Sequence, residues 1–164
     1  MSDILRIFAI VLLLTISLAA YFLVANALFP HRVAKTKAVI ESMPGRSFGI
    51  GLVNFSFFFV IAFALISFAE NISNGFFKTI VTIPALIIIL FITVMLSFGL
   101  TSVSKLIGER ILPDGTEWKQ SFWGTTILCF ACALPFVGWF LLFPYIGFVG
   151  FGAFILALFQ QKPK

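Results

Sequence analysis

The stretch "ALPFVGWFLLFPYIGF", Ala133 to Phe148, holds two prolines and neither a charge nor a polar amide. Crossing a bilayer here, turning inside it, and burying the stretch in a water-soluble core are three different folds. Composition narrows the choice. Of 164 residues, 61% are hydrophobic and 10% charged, and the mean hydropathy is +1.14. Soluble domains carry about 25% charge. Eleven Lys and Arg plus six Asp and Glu make 17 formal charges, gathered in short clusters between long charge-free runs. A soluble fold of this size must still present a polar surface to water. The pattern is instead that of an all-α, polytopic integral membrane protein forming a single membrane domain.

Three apolar runs precede the quoted stretch. The first, Ile7 to Phe29, is long enough to span. It contains "SLAAY", which mimics a signal-peptide cleavage site, but the apolar run continues past it and reads as a retained helix. The second run is Phe48 to Ala69 and the third Thr79 to Ser104. Spans are therefore expected at about 5–29, 48–69 and 79–104. Pro84 then falls in the first two turns of the third helix, where a missing N–H costs least. "NIS" at Asn71 fits a glycosylation pattern but reads as a plain turn.

Two polar segments separate the runs. Pro30 to Ser47, "PHRVAKTKAVIESMPGRS", sets Arg32, Lys35, Lys37 and Arg46 against the single acid Glu41. Val33, Val39 or Ile40, and Met43 recur at near-helical spacing. A short basic amphipathic helix at headgroup level is expected over 30–47, closed by a Pro44-Gly45 turn. Its four bases are candidates for contact with anionic lipid or a partner; a solvated loop that merely follows the charge rule is the other reading. Lys105 to Gln120 carries three bases, three acids and a "PDG" turn signal. Glu109 and Arg110 there are expected to pair with Glu117 or Lys119 and pin the loop.

Bias in Lys and Arg sets orientation. With the 30–47 segment in the cytoplasm, the 105–120 loop falls there too, and the N-terminus falls outside. If "QQKPK" also returns inside, nine of eleven bases lie on that side, and Ser121 to Phe159 must go in and come back. Two full spans need about 20 residues each plus a turn, so 39 residues are short for that. A helical hairpin is expected at about 121–159, re-entrant or made of two short spans. Its arms are Ser121 to about Leu134 and about Tyr145 to Phe159, with breaks at Pro135, Gly138 and Pro144. Gly147, Gly150, Ala153 and Ala157 make a small-residue stripe on one arm, and Thr125, Cys129 and Cys132 on the other. Such stripes let membrane helices approach closely. Trp118, Trp123, Trp139 and Tyr145 are placed like interface anchors.

Motifs of chemistry are sparse. Cys129 and Cys132 form a lone CxxC inside an apolar run, without a nearby His or polar loop, and read as packing residues. The one histidine, His31, reads as solvated. HExxH and GxSxG are absent. No Asp, Glu, Lys or Arg falls inside the expected spans beyond their edges, which argues against ion-coupled transport. Asn54 reads as an interhelical hydrogen-bonding residue. "RSFGIG" and "QSFWG" echo each other; a degenerate repeat and chance similarity both remain open.

"LFPHRVAKTKAVIESMPGRSFGIGL" and "IGERILPDGTEWKQSFWGTTIL…LPFVGWFLLFPYIGFVGFGAFIL" resemble a bacterial membrane module often found attached to bactofilin-like, polymer-forming domains. The likeness covers roughly residues 28–159. It rests on Pro44, Gly51, Gly108, Glu109, Arg110, Pro135, Gly138, Gly150, Gly152 and Ala153. Two departures are visible: the sequence contains no polymer-forming β-domain, and "TIP" at Thr82–Pro84 replaces the module's Gly before proline. The resemblance implies a membrane anchor or scaffold in a bacterial inner membrane, with no activity to carry over.

The expected function is a non-enzymatic membrane subunit that scaffolds, anchors or stabilises a larger complex. A small oligomeric channel or transporter for lipid or an uncharged solute is the alternative. Expected partners are membrane lipids and other membrane subunits, with a homo-oligomer open. Nucleic acid, a cofactor and a metal are not expected.

Overall fold

The computed structural model describes residues 2–72, 74–134 and 136–159. The described chain is helical throughout, apart from short connections. Helix α1 is Ser2–Leu28, α2 Pro30–Ser42, α3 Pro44–Glu70, α4 Gly75–Ile111 and α5 Glu117–Ala133. A π-helical segment, Val137–Leu142, runs directly into α6, Phe143–Phe159. Four of these stretches are long and apolar enough to cross a membrane: Phe8–Leu28, Pro44–Glu70, Gly75–Ile111 and Val137–Phe159. The chain is a multi-pass membrane protein.

Local chemistry sets the helix boundaries. Pro30 and Pro44 each occupy the first turn of a helix, where the absent N–H has no partner to lose. Pro44 therefore opens α3 directly, and the expected Pro44-Gly45 loop is helical. Helix α4 starts earlier than the apolar run suggests, because the Asn74 side chain accepts from Phe76 N at 3.1 Å and caps it. Pro84 consequently lies ten residues into α4, not in its first two turns. At 37 residues, α4 is about 55 Å long. Ser73 of the "NIS" pattern lies outside the described residues.

The opening stretch is answered by a turn. Helix α5 has 17 residues, about 25 Å. The chain reverses between the end of α5 and the π segment and returns through the π segment and α6. Gly138 sits so close to the end of α5 that a Cβ there would meet the carbonyls of Ala131 and Cys132, at 2.6 and 2.5 Å. Phe136 takes a positive φ of 66°, a strained value for a side-chain-bearing residue. The second arm is longer than expected because Pro144 does not break it. Phe143 N bonds Gly138 O, five residues back. This wide turn leaves room for a pyrrolidine ring that a regular α-turn would press against the preceding carbonyls. Pro135 lies outside the described residues.

The two arms do not pair with each other along their length. Helix α5 packs on α4 and α1, whereas α6 packs on α3, α4 and α2. Helix α6 is the central element. Half of the most apolar part of Val137–Phe159 is buried, against 17% or fewer in the other three candidate spans. Val149, Ala153 and Ala157 of α6 join Val103, Leu128, Val39 and Phe22 in one apolar cluster. Phe151 and Phe154 join Met95 in a second, where Phe98 and Phe154 stack at 5.0 Å.

Helix directions follow from these contacts. Gly150 lies beside Gly99, and Gly147 beside Leu96, so α6 runs parallel to α4. Helix α2, the 112–116 loop and the end of α6 consequently gather at one end of the bundle, called the polar end below. The end of α3 and the start of α4 lie at the other.

Candidate functional site

Two features carry the structure's specificity: paired glycine contacts inside the bundle and a basic cleft at its polar end. The contacts are reciprocal. On α3, a Cβ at Gly51 would collide with Phe148 O of α6; on α6, a Cβ at Gly152 would collide with Ser47 O of α3. The same arrangement recurs between α4 and α5, where Gly108 faces Gln120 O and Gly124 faces Ser104 O. A third contact joins Gly150 to Gly99, with a Cβ on Gly150 placed 2.8 Å from Gly99 backbone. Backbone carbonyls laid against glycine Cα–H groups supply dispersion and weak hydrogen bonding that bulkier side chains would exclude.

Buried hydroxyls lie beside these contacts. Ser104 Oγ and Thr125 Oγ1 share a hydrogen bond at 2.7 Å, and Thr125 Oγ1 lies 2.7 Å from Ser121 O in its own helix. Ser102 bonds Phe98 O at 2.8 Å and reaches Val33 O of α2 at 3.2 Å. Among the described residues, every fully buried side-chain nitrogen and oxygen has a partner. Asn54 bonds Ile50 O in its own helix at 2.9 Å rather than bridging to another.

The small residues expected to line the hairpin take separate places. Thr125, fully buried, meets α4 through Ser104. Cys129 lies beside Thr15 of α1, and Cys132 packs at the edge of the main apolar cluster. Gly150 faces α4, Ala153 and Ala157 are buried, and Gly147 is only half-buried with Leu96 at 3.9 Å. The two stripes thus look toward α4 and α1 more than toward each other. Gly51, Gly99, Gly108, Gly124 and Gly152 are the contact residues that sequence spacing alone did not single out. The signal available was small residues four apart, in Ser47/Gly51 and Ser104/Gly108.

The four bases of the 30–47 segment also part company. Val33, Thr36, Val39 and Ile40 form the buried face of α2, so the helix docks on α4 and α6. Lys37 pairs with Glu109 of α4. Lys105 reaches Asn26 Oδ1 at 3.3 Å and Glu117 at 3.8 Å. Glu109 therefore pairs with Lys37 of α2, outside its own segment, while Glu117 pairs with Lys105 at the start of that segment rather than with Glu109 or Arg110. The loop itself is pinned by Gln120 Nε2, which donates to Leu112 O at 2.8 Å. Arg46 is exposed on the first turn of α3, near Met43.

Arg32 and Lys35 turn the other way. With His31 and Thr36 they line a cleft of ≈ 250 Å³, whose remaining wall is Phe154, Ala157 and Leu158 of α6. Among the described residues, no group of three or more His, Cys, Asp or Glu side chains is placed to hold a metal. The tail residues Lys162 and Lys164 lie outside the described residues. Comparison with protein-family models, with curated proteins and with solved structures found no match.

Proposed function

We propose that this chain is a non-enzymatic integral membrane subunit that scaffolds, anchors or stabilises a larger membrane complex through helix packing. In this reading it lies in a bacterial cytoplasmic membrane, the polar end in the cytoplasm and the start of α1 outside. Helices α1, α3, α4 and π–α6 span, and α5 completes the out-and-back hairpin as a short or re-entrant arm. Helix α2 rests at headgroup level.

The observation that carries the reading is where the polar groups go. The buried hydroxyls close on neighbouring carbonyls and on one another, and glycines bring backbone against backbone. Such an interior fixes the relative positions of helices. The outer surface, by contrast, is densely apolar and aromatic. Phe136, Trp139 and Phe140 at the hairpin turn are each more than 70% exposed. Aromatic side chains supply large contact area at membrane interfaces and in protein interfaces alike. The resemblance to the bactofilin-associated module points the same way. Gly51, Gly108, Gly138, Gly150 and Gly152, which carry that likeness, all lie at close backbone approaches.

Purification of the native protein in mild detergent, followed by native mass spectrometry, tests the proposal. It predicts foreign membrane subunits at fixed stoichiometry. A homo-oligomer enclosing a polar path and carrying solute flux in vesicles would favour the channel reading, and turnover of a substrate by the purified chain would defeat the proposal.

A further inference from the structure

We propose that the cleft between α2 and the end of α6 binds the phosphate group of an anionic phospholipid, with an acyl chain laid along Phe154 and Leu158. The proposal rests on the membrane placement above and not on the scaffold role.

The cleft joins two chemistries. Its α2 wall carries Arg32, Lys35 and His31, and its α6 wall is wholly apolar. Thr36 at its floor is fully buried and bonds Arg32 O at 3.0 Å, which holds this turn of α2 in place. Two neighbouring cations are engaged: Lys37 with Glu109, and Lys105 with Asn26 and Glu117. Arg32, Lys35 and His31 have no ion pair or side-chain hydrogen bond with any described residue. An unneutralised pair of bases beside an apolar wall, at the end of a spanning helix, matches a lipid headgroup continuing into its chain. Basic pockets at helix ends on the cytoplasmic face recognise acidic headgroups in this way. A guanidinium adds planar, two-pronged recognition of phosphate oxygens. A soluble phosphate would use the bases but leave Phe154 and Leu158 without a role.

The test uses the purified full chain in neutral detergent. Native mass spectrometry is run with added phosphatidylglycerol or phosphatidylcholine, on the natural protein and on two double variants of equal charge change. Arg32→Gln/Lys35→Gln empties the cleft of charge; Lys37→Gln/Arg46→Gln removes two bases elsewhere. Expected are preferential retention of phosphatidylglycerol and a loss of about tenfold or more in its affinity for the first variant only. Excess inorganic phosphate should not displace the lipid. A photoactivatable phosphatidylglycerol should label Phe154 to Leu158 in the natural protein, a readout that needs no variant to fold. Equal retention of the two lipids, equal weakening by both double variants, or labelling confined to other helices would overturn the proposal. Full displacement by inorganic phosphate would do so as well, and would mark the cleft as a free-phosphate site.

Discussion

At the scale of single residues, the bundle turns on where a methyl group fits. Gly49 and Gly51 stand two residues apart on α3, yet a Cβ at Gly49 meets nothing within 4 Å whereas one at Gly51 meets the Phe148 carbonyl. Gly51→Ala must push α3 and α6 apart, and overpacking of this kind costs about 1–3 kcal/mol. Gly49→Ala removes only a flexible residue from a helix, so it is neutral or stabilising by up to about 1 kcal/mol. Thermal unfolding of both variants in detergent, followed by fluorescence-detected size exclusion, is expected to separate them; equal behaviour would contradict the contact. The small-residue pattern was legible in Ser47/Gly51 and Ser104/Gly108. Which carbonyl each glycine meets was not, because that depends on the register of a partner helix far away in sequence. Reading one stripe on α6 also assumed one neighbour. Gly150 and Gly152 point to two, α4 and α3, as a central helix requires.

At the scale of elements, apolar run length located the first three candidate spans but not their ends, and it left Val137–Phe159 as one arm of a hairpin starting near Tyr145. Helix α4 extends at both ends beyond the run from Thr79 to Ser104: Asn74 caps the start, and the turns after Ser104 are held by α5 and α2. The hairpin between Ser121 and Phe159 was legible from charge bias and residue count. Its unequal arms were not, since a proline in an apolar stretch signals a break unless a π turn precedes it. Helix α2 shows the same limit. Its basic amphipathic pattern was plain, but the pairing of Lys37 with Glu109 joins residues 72 apart. As a single, half-buried pair still open to solvent it contributes on the order of 1 kcal/mol or less, so its value is diagnostic. With Cys129 and Cys132 replaced by alanine, Lys37→Cys/Glu109→Cys is expected to crosslink rapidly with a bismaleimide long enough to replace the two side chains, since a direct disulfide needs closer Cβ atoms, and Arg46→Cys/Glu109→Cys is expected to crosslink more slowly. Crosslinking at equal rates would mean that α2 is not docked on α4.

At the scale of the whole molecule, one arrangement follows from the pieces. Helix α1 runs toward the polar end, α3 away, α4 back, α5 away, and π–α6 back again. All the strong clusters of charge then meet at one end, where α2 lies across the bundle beside the ends of α4 and α6. Composition made the membrane class legible, and the bias of Lys and Arg made the shared side legible. The central position of α6 was not, because its sequence is as apolar as that of its lipid-facing neighbours. The most direct test of this arrangement is cysteine accessibility in sealed vesicles of known orientation, with Cys129 and Cys132 replaced by alanine. Single cysteines are placed at Arg32, Lys119 and Phe159 and, separately, at Asn71. The first three are predicted to react with an impermeant maleimide from one face and Asn71 from the opposite one; reaction of Phe159→Cys from the Asn71 face would contradict the out-and-back path of α5 and α6.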